Sequence, residues 1–415
     1  VEPDETTRVA LLLTISFFMG LFLATVSVAA QTEFLNLEGI IEKEELPKAL
    51  FIGGGLGFIA SGLFNILVGR ISFRFLSIFF LLLTIGGTAF LEFGQAYVPE
   101  KTLFQLGFSL VLPFTFVVQL VFWGSFNRMF TFRQQKRVIG SVDGGMDIAQ
   151  ILAFFTIPVM LNFGVELRTL FTIGMFSLVA FLLLFVVLSS KYLTHAAMEA
   201  AVGVLNEKEN KKLNLIQFFG TKYIFLLSAF IILSFAALRF IDYSFLMVSS
   251  TTFSNEGLPV FRSLFEATIV IFSYLFATFA ADRIQEEYGL RVSLLLNPLL
   301  ALIFTASALA LGFFFGYDPT NGPIIFFFIM VAMSKLIANS LRDALDTPVF
   351  KFYYVPIEKS IKLDAQTKIE GIVTALAYII SGGLLIVINQ FKIFDLLSIT
   401  LFTLPLLFVW YLIIS

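Results

Sequence analysis

Cysteine is absent from the 415 residues, which excludes disulfides, thiolate chemistry and cysteine-ligated metal. The single histidine, His195, leaves no histidine metal cluster and no Ser-His-Asp triad to build. Charge is scarce as well. Only 13% of the residues are Asp, Glu, Lys or Arg, about half of the roughly 25% usual in a soluble domain. The formal net charge is −2, with no basic arm or patch, so nucleic acid is not an expected partner. No short apolar stretch with a small-residue cleavage site marks a signal peptide. What fills the chain instead is apolar: 58% hydrophobic residues, 54 of them Phe, and a mean hydropathy of +0.94. Water cannot solvate a surface of this kind, whereas lipid tails solvate Phe, Leu and Ile as a protein core does. Nothing calls for a cofactor or a metal, and an enzyme is not expected.

A helix crossing ~30 Å of hydrocarbon needs ~20 apolar residues. Apolar runs bounded by charges or by Pro and Gly occur at 9–30, 47–69, 75–97, 103–126, 138–162, 168–190, 222–247, 260–281, 290–315, 323–341, 366–389 and 394–414. They are too long and too unalternating for barrel strands, and lipid leaves no backbone polar group unpaired, so helices are predicted. With the N-terminus inside, 19 Lys and Arg fall on the cytoplasmic side and 6 on the other, Arg262 among them, while Arg239 and Lys335 lie within helices. That asymmetry predicts a bacterial inner-membrane protein with both termini cytoplasmic.

The longest connection, between the sixth and seventh runs, divides the chain into a six-helix bundle at 1–190, a linker at 191–221 and a second six-helix bundle at 222–415. Within the linker, LTHAAMEAAVGVLNE has apolar residues at helical spacing and is expected to lie along the membrane surface; NEKENKK reads as a solvated loop. The halves echo one another, with short basic turns at ILVGRISFRF and FAADRIQEEYGLR. Six plus six helices around a central midplane site is the major-facilitator layout. The expected fold is therefore an all-α membrane protein, a twelve-helix, major-facilitator-like 6+6 pseudo-symmetric bundle.

Three strings carry a more specific likeness: FWGSFNRMFTFRQQKRVIGSVDGGMDIAQILAF (Phe122–Phe154), Asp242-Tyr243-Ser244-Phe245, and FKFYYVPIEKSIKLDAQTKIEGIVTALAYIISGG (Phe350–Gly383). They resemble the nucleotide transporter family, the ATP/ADP exchangers of plastids and intracellular bacteria, a branch related to the major facilitator superfamily. The resemblance implies a secondary transporter. The chain departs from the family where the first helix ends, at Ala29-Ala30-Gln31-Thr32-Glu33 in place of a lysine-bearing cluster, and at Ile380, where the family has a lysine before Ser-Gly-Gly.

Ionisable groups inside the bilayer cost ~3 kcal/mol each on insertion scales and so are functional candidates. Asp143, Asp147 and Gln150 share one face of the fifth run at spacings of four and three. Lys335 lies mid-run in the tenth, and Glu266 about two turns into the eighth. Arg239 and Asp242, three apart in the seventh, are positioned to pair with each other. The candidate substrate-binding set is thus Lys335, Arg239, Asp147, Asp143, Gln150 and Glu266. Asp242, Arg70, Arg283, Arg137 and Glu370 are candidates for coupling or gating, although Glu370 beside Lys368 also reads as a structural residue at the membrane edge. This count sets two deep cations against four acids, a poor match for a tetra-anion such as ATP. GGGLG at Gly53–Gly57 lacks the Lys-Ser/Thr of a phosphate loop and reads as a close-packing face.

Alternating-access transport of a nucleotide or related organic anion by exchange is the leading expectation. A second is proton-coupled transport of a neutral, zwitterionic or amphiphilic solute. A third keeps the transporter fold as a sensor or scaffold joined to a soluble domain outside this chain, since the sequence opens on VEPDETTR and stops on an apolar helix like a piece of a longer one. The expected partners are a small-molecule solute and membrane lipids.

Overall fold

The computed structural model describes residues 6–37, 45–68, 70–130, 132–193, 215–317, 324–358, 361, 365–366, 368–390 and 396–415. Twelve long helices run through them: α1 (Thr6–Leu35), α2 (Glu45–Val68), α3 (Phe73–Phe93), α4 (Glu100–Met129), α5 (Phe132–Asn162), α6 (Thr169–Tyr192), α7 (Lys222–Thr252), α8 (Gly257–Phe276), α9 (Asp282–Phe315), α10 (Ile325–Leu341), α11 (Thr374–Gln390) and α12 (Leu396–Ile414). Eleven helical stretches are long and apolar enough to cross a membrane. One of these, Gly257–Phe315, has 59 residues, about 88 Å at 1.5 Å per residue, nearly three times the hydrocarbon thickness. It folds back at Gly289, where φ is 80° and ψ 171°, a conformation open to glycine and strained for L-residues. Two crossings result, and the chain is a multi-pass membrane protein with twelve spans.

Two boundaries differ from the hydropathy reading. The turn expected around Arg283 is instead helix: a π-helical turn at Ala277–Ala281 joins α8 to α9, and the fold-back waits for Gly289. The tenth helix does not stop at 341 but continues through a π-turn, Arg342–Asp346, and Thr347–Phe352. A window of mean hydropathy ends where Arg342, Asp343 and Asp346 cluster, although these groups have partners that keep them in the helix. A third π-turn, Ile369–Val373, leads into α11. The linker motifs, His195 included, lie outside the described residues.

The chain separates into two compact units. Unit 1 comprises Val1–Leu37, Leu56–Glu209 and Pro259–Ala267; unit 2 comprises Glu38–Gly55, Asn210–Leu258 and Thr268–Ser415. In unit 1, α1 packs on α4, α5 and α6. The glycine-rich start of α5 explains how closely: a Cβ on Gly145 would stand 2.6 Å from the Leu13 carbonyl oxygen, and Ser16 donates to the Val142 carbonyl at 2.7 Å. In unit 2, α9 packs on α10 and α12, and α7 on α10, α11 and α12. Its core includes Phe230 stacked on Phe350 at 4.9 Å, with Trp410 fully buried beside them. The first half of α2 meets α11 backbone to backbone in this unit. A Cβ on Gly54 would lie 3.1 Å from the Tyr378 carbonyl carbon, and one on Gly382 only 2.8 Å from the Phe51 Cα. The Gly53–Gly57 string is therefore a packing face, as its composition indicated.

Several serine and threonine hydroxyls in the interior turn back onto their own helices. Thr84, Thr88, Ser228, Thr400 and Thr403 each donate to the carbonyl four residues earlier at 2.8–3.0 Å. This satisfies a polar group where water is absent.

Candidate functional site

The densest group of charged and aromatic side chains belongs to unit 2 and is built from α7, the α10 run and α11. Lys335, 5% exposed, holds its Nζ 3.8 Å from Asp242 Oδ1 and 4.4 Å from the centre of the Phe245 ring. Asn339, one turn along, donates from Nδ2 to the same carboxylate oxygen at 3.3 Å. Arg342, a further turn on, lies 4.4 Å over the Phe235 ring and donates a hydrogen bond to the Tyr378 side chain. Arg239 lies 4.7 Å over the Tyr378 ring. Phe235 and Tyr378 pack edge to face at 5.2 Å, and Asn389 donates to the Tyr243 hydroxyl at 2.9 Å.

Lys335, Asn339, Arg342 and Asp346 thus succeed one another at spacings of four, three and four along a single helical run, so one face of it is polar. At the far end Asp346, 5% exposed, accepts from Asn297 Nδ2 at 2.5 Å, and the same amide donates to the Ala338 carbonyl at 3.1 Å. Ser244, Thr305, Ser334, Thr400 and Thr403 line a small cavity nearby, with Thr305 and Ser334 sharing a hydrogen bond of 2.8 Å.

Asp242 does not make the same-helix pair with Arg239 that the spacing suggested. Lys335 and Asn339 reach it across the helix interface, and Arg239 turns to an aromatic face. An aromatic ring attracts a cation through its quadrupole without neutralising it. Lys335 and Arg342 therefore both lie in the field of the Asp242 carboxylate, with Asp343 adding its own at Arg342 and Arg239 held over Tyr378. The group thus sets cationic side chains against flat aromatic faces in the interior of the unit. The count of two deep cations against four acids omits Arg342, which lies one residue past the tenth apolar run but within the continuing helix.

The remaining candidates divide among other places. Asp143, Asp147 and Gln150 are half-buried on α5, and Glu266 is half-buried on α8; all four belong to unit 1. Arg70 and Arg283 are exposed, and neither makes an ion pair among the described residues. The Arg137 side chain lies outside the described set. Glu370 is exposed and accepts from Gln366 Nε2 at 3.0 Å, one turn away on its own helix.

Unit 1 contains buried charges absent from the candidate set. Arg262 is expected among the cations of the outer side, yet it is 1% exposed, and its guanidinium donates to Gln31 Oε1. Its neighbour Ser263 donates to the Phe154 carbonyl at 2.5 Å. Gln31 belongs to the Ala29–Glu33 string that lacks a cation of its own, so α8 brings one to it. Glu33 is 7% exposed and lies in the field of Arg168. Arg168 in turn donates to the Leu91 and Glu92 carbonyls at 2.6 and 2.8 Å. Arg262 stands near the start of its helix, where a cation reads from sequence as marking the membrane edge.

No protein-family model and no curated protein sequence matches the chain. Solved structures do resemble it over nearly its whole length. A POT family transporter in complex with 5-aminolevulinic acid is 14% identical at a TM-score of 0.69, covering 98% of this chain and 94% of its own. The nucleoside transporter NupG is 13% identical at a TM-score of 0.60, covering 97% and 98%. The xylose transporter XylE from E. coli, in a partially occluded inward-open conformation, is 12% identical at a TM-score of 0.63, covering 97% and 95%. Identities this low speak for architecture alone, and the architecture is the twelve-helix, major-facilitator-like fold.

Proposed function

We propose that this protein is a secondary transporter working by alternating access, and that it carries a small organic anion, in the leading form a nucleotide taken by exchange. The observation that carries the reading is Lys335, a nearly buried cation in a membrane-spanning helix, with Arg239 and Arg342 held on the faces of Tyr378 and Phe235, which pack against each other. A charge in that setting is expensive unless it is used. The Tyr378 and Phe235 rings supply flat apolar surface for the body of such a solute. The shared architecture with proteins named as transporters of nucleoside and xylose supports transport as the activity. The Lys and Arg distribution supports a bacterial inner membrane with both termini cytoplasmic; exchanging Arg262 and Arg342 out of the loop tallies removes one cation from each side and leaves the bias intact.

The test is counterflow into proteoliposomes loaded with unlabelled ADP, ATP or inorganic phosphate and offered the labelled form. Saturable counterflow is expected with at least one of them. Lys335→Gln is expected to abolish it in a protein that remains folded, and Lys335→Arg to keep part of it. Counterflow unchanged in Lys335→Gln would remove the lysine from the site, and none with any of the three in the wild type would refute anion exchange.

A second reading, proton-coupled movement of a neutral or zwitterionic solute, is favoured by a different observation. Asp143 and Asp147, half-buried one turn apart on α5, are carboxylates in a membrane-spanning helix.

A further inference from the structure

We propose that Asp242 is an internal stand-in for the transported anion, and that this gives the carrier a second activity, net transport, alongside exchange. The inference rests on the anion-carrier reading of the Lys335 site and adds to it what happens when the site is empty.

A carrier whose site holds a bare buried cation changes conformation readily only when an anion is bound, because an uncompensated charge is costly in a low-dielectric interior. Such a carrier is confined to one-for-one exchange. Lys335 is the deep cation here, and its counter-ion comes from the protein itself, the Asp242 carboxylate at 3.8 Å. The separation exceeds that of a tight, charge-assisted hydrogen bond, ~2.8 Å, so an arriving anion competes for Lys335 against a loosely held partner. Asp242 has somewhere else to go: Asn339 donates to the same oxygen, at 3.3 Å, from a position one turn along α10. The carboxylate side chain is also 26% exposed, against 7% for the lysine. The acid is therefore the more solvated member of the pair, and the lysine the more deeply buried one. Substrate binding moves Asp242 off Lys335, and substrate release lets it return. The empty site is then neutralised at its deepest cation and can cross back unloaded. Arg239 and Arg342 keep their charge in both states, but both are only half-buried over their aromatic rings, and Asp343 lies beside Arg342, so neither is the deep uncompensated cation that Lys335 would be.

The measurement compares two fluxes in one preparation of proteoliposomes loaded with radiolabelled ADP: efflux into buffer containing ADP, which is exchange, and efflux into buffer without it, which is net transport. Their ratio does not depend on how much protein has folded. The wild type is expected to show both. Asp242→Asn is expected to lower the KM for exchange, because the competitor for Lys335 has lost its charge. It should also lower the ratio of net transport to exchange by about tenfold or more, as removal of one partner leaves a buried charge uncompensated. Asp242→Glu is expected to recover the ratio, and Asn339→Ala, which removes the alternative donor, to shift it by a smaller factor and to serve in place of Asp242→Asn if that variant does not reconstitute. Wild-type protein that exchanges ADP without net efflux would overturn the inference while leaving the anion-exchange reading standing. An unchanged ratio in Asp242→Asn would do the same. Failure of the wild type to exchange ADP would overturn both for this anion.

Discussion

Gly382 and Gly383 are consecutive on α11, yet a methyl group added to each meets different surroundings. At Gly382 it would lie 2.8 Å from the Phe51 Cα and 3.0 Å from the Phe51 nitrogen; these are backbone atoms of α2 and cannot rotate aside. At Gly383 the nearest atoms are Phe51 ring carbons at 3.7 and 3.8 Å, which is ordinary contact. Forcing a carbon into a filled helix interface costs roughly 1–3 kcal/mol. Replacing a helical glycine where there is room gains about 0.5–1 kcal/mol, because alanine loses less backbone freedom on folding. The helical gain is common to both glycines, so Gly382→Ala is expected to be the less stable variant by the overpacking cost alone, about 1–3 kcal/mol, with Gly383→Ala neutral or stabilising. Thermal unfolding of the purified variants in one detergent is the assay, with the Gly382→Ala midpoint expected below that of Gly383→Ala. Equal shifts would show that α2 and α11 do not approach as closely as the coordinates place them.

Three further outcomes follow from other parts of the molecule. Gly289→Ala places a side chain at φ 80°, ψ 171°, a region essentially confined to glycine, and is expected to cost about 1–3 kcal/mol in the same unfolding assay, with Gly289→Asn no better because asparagine is tolerated in the left-handed helical region and not here; no loss would mean that the α8–α9 fold-back lies elsewhere. Under anion exchange, uptake is expected to ignore an imposed pH gradient in both the wild type and Asp147→Asn. Gradient-driven accumulation that disappears in Asp147→Asn would instead establish the proton-coupled reading. The cysteine-free background lets Glu256→Cys report topology, with labelling by an impermeant maleimide expected in intact cells; labelling only after lysis would invert the assigned orientation.

Composition and run length were enough to read twelve helices, because lipid imposes a single demand on a spanning segment: apolar side chains and an internally bonded backbone. Lys335 was legible for the same reason, as one charge in an otherwise apolar run. Its partner was not. Spacing on one helix pointed Asp242 at Arg239, whereas the ion pair forms between helices, and no single-helix pattern encodes which helix faces which. Arg342 and Asp346 were hidden by averaging, since a hydropathy window treats a cluster of charges as the end of a span. The interval from Lys335 through Asn339 and Arg342 to Asp346 is a helical repeat and was readable as a polar stripe had the run been carried past residue 341. Arg262 left a fainter trace. Only the cation missing at Ala29–Glu33 signalled that one was to be supplied from elsewhere.

The ion pair between α7 and the tenth helix also has a consequence for how the protein is made. A lysine near the middle of a helix costs ~2.5–3.5 kcal/mol on insertion into a bilayer, and so does each arginine or aspartate. The α10 run carries Lys335, Arg342, Asp343 and Asp346, so as an isolated segment it is a poor substrate for the insertion machinery. Asp242 and Asn297 both precede it in the chain. During N-to-C synthesis the groups that will accept Lys335 and hold Asp346 are already in the membrane when those residues emerge. Integration of the tenth helix therefore depends on α7 and α9 waiting beside the exit site, and the pair at Lys335 sets an order of assembly.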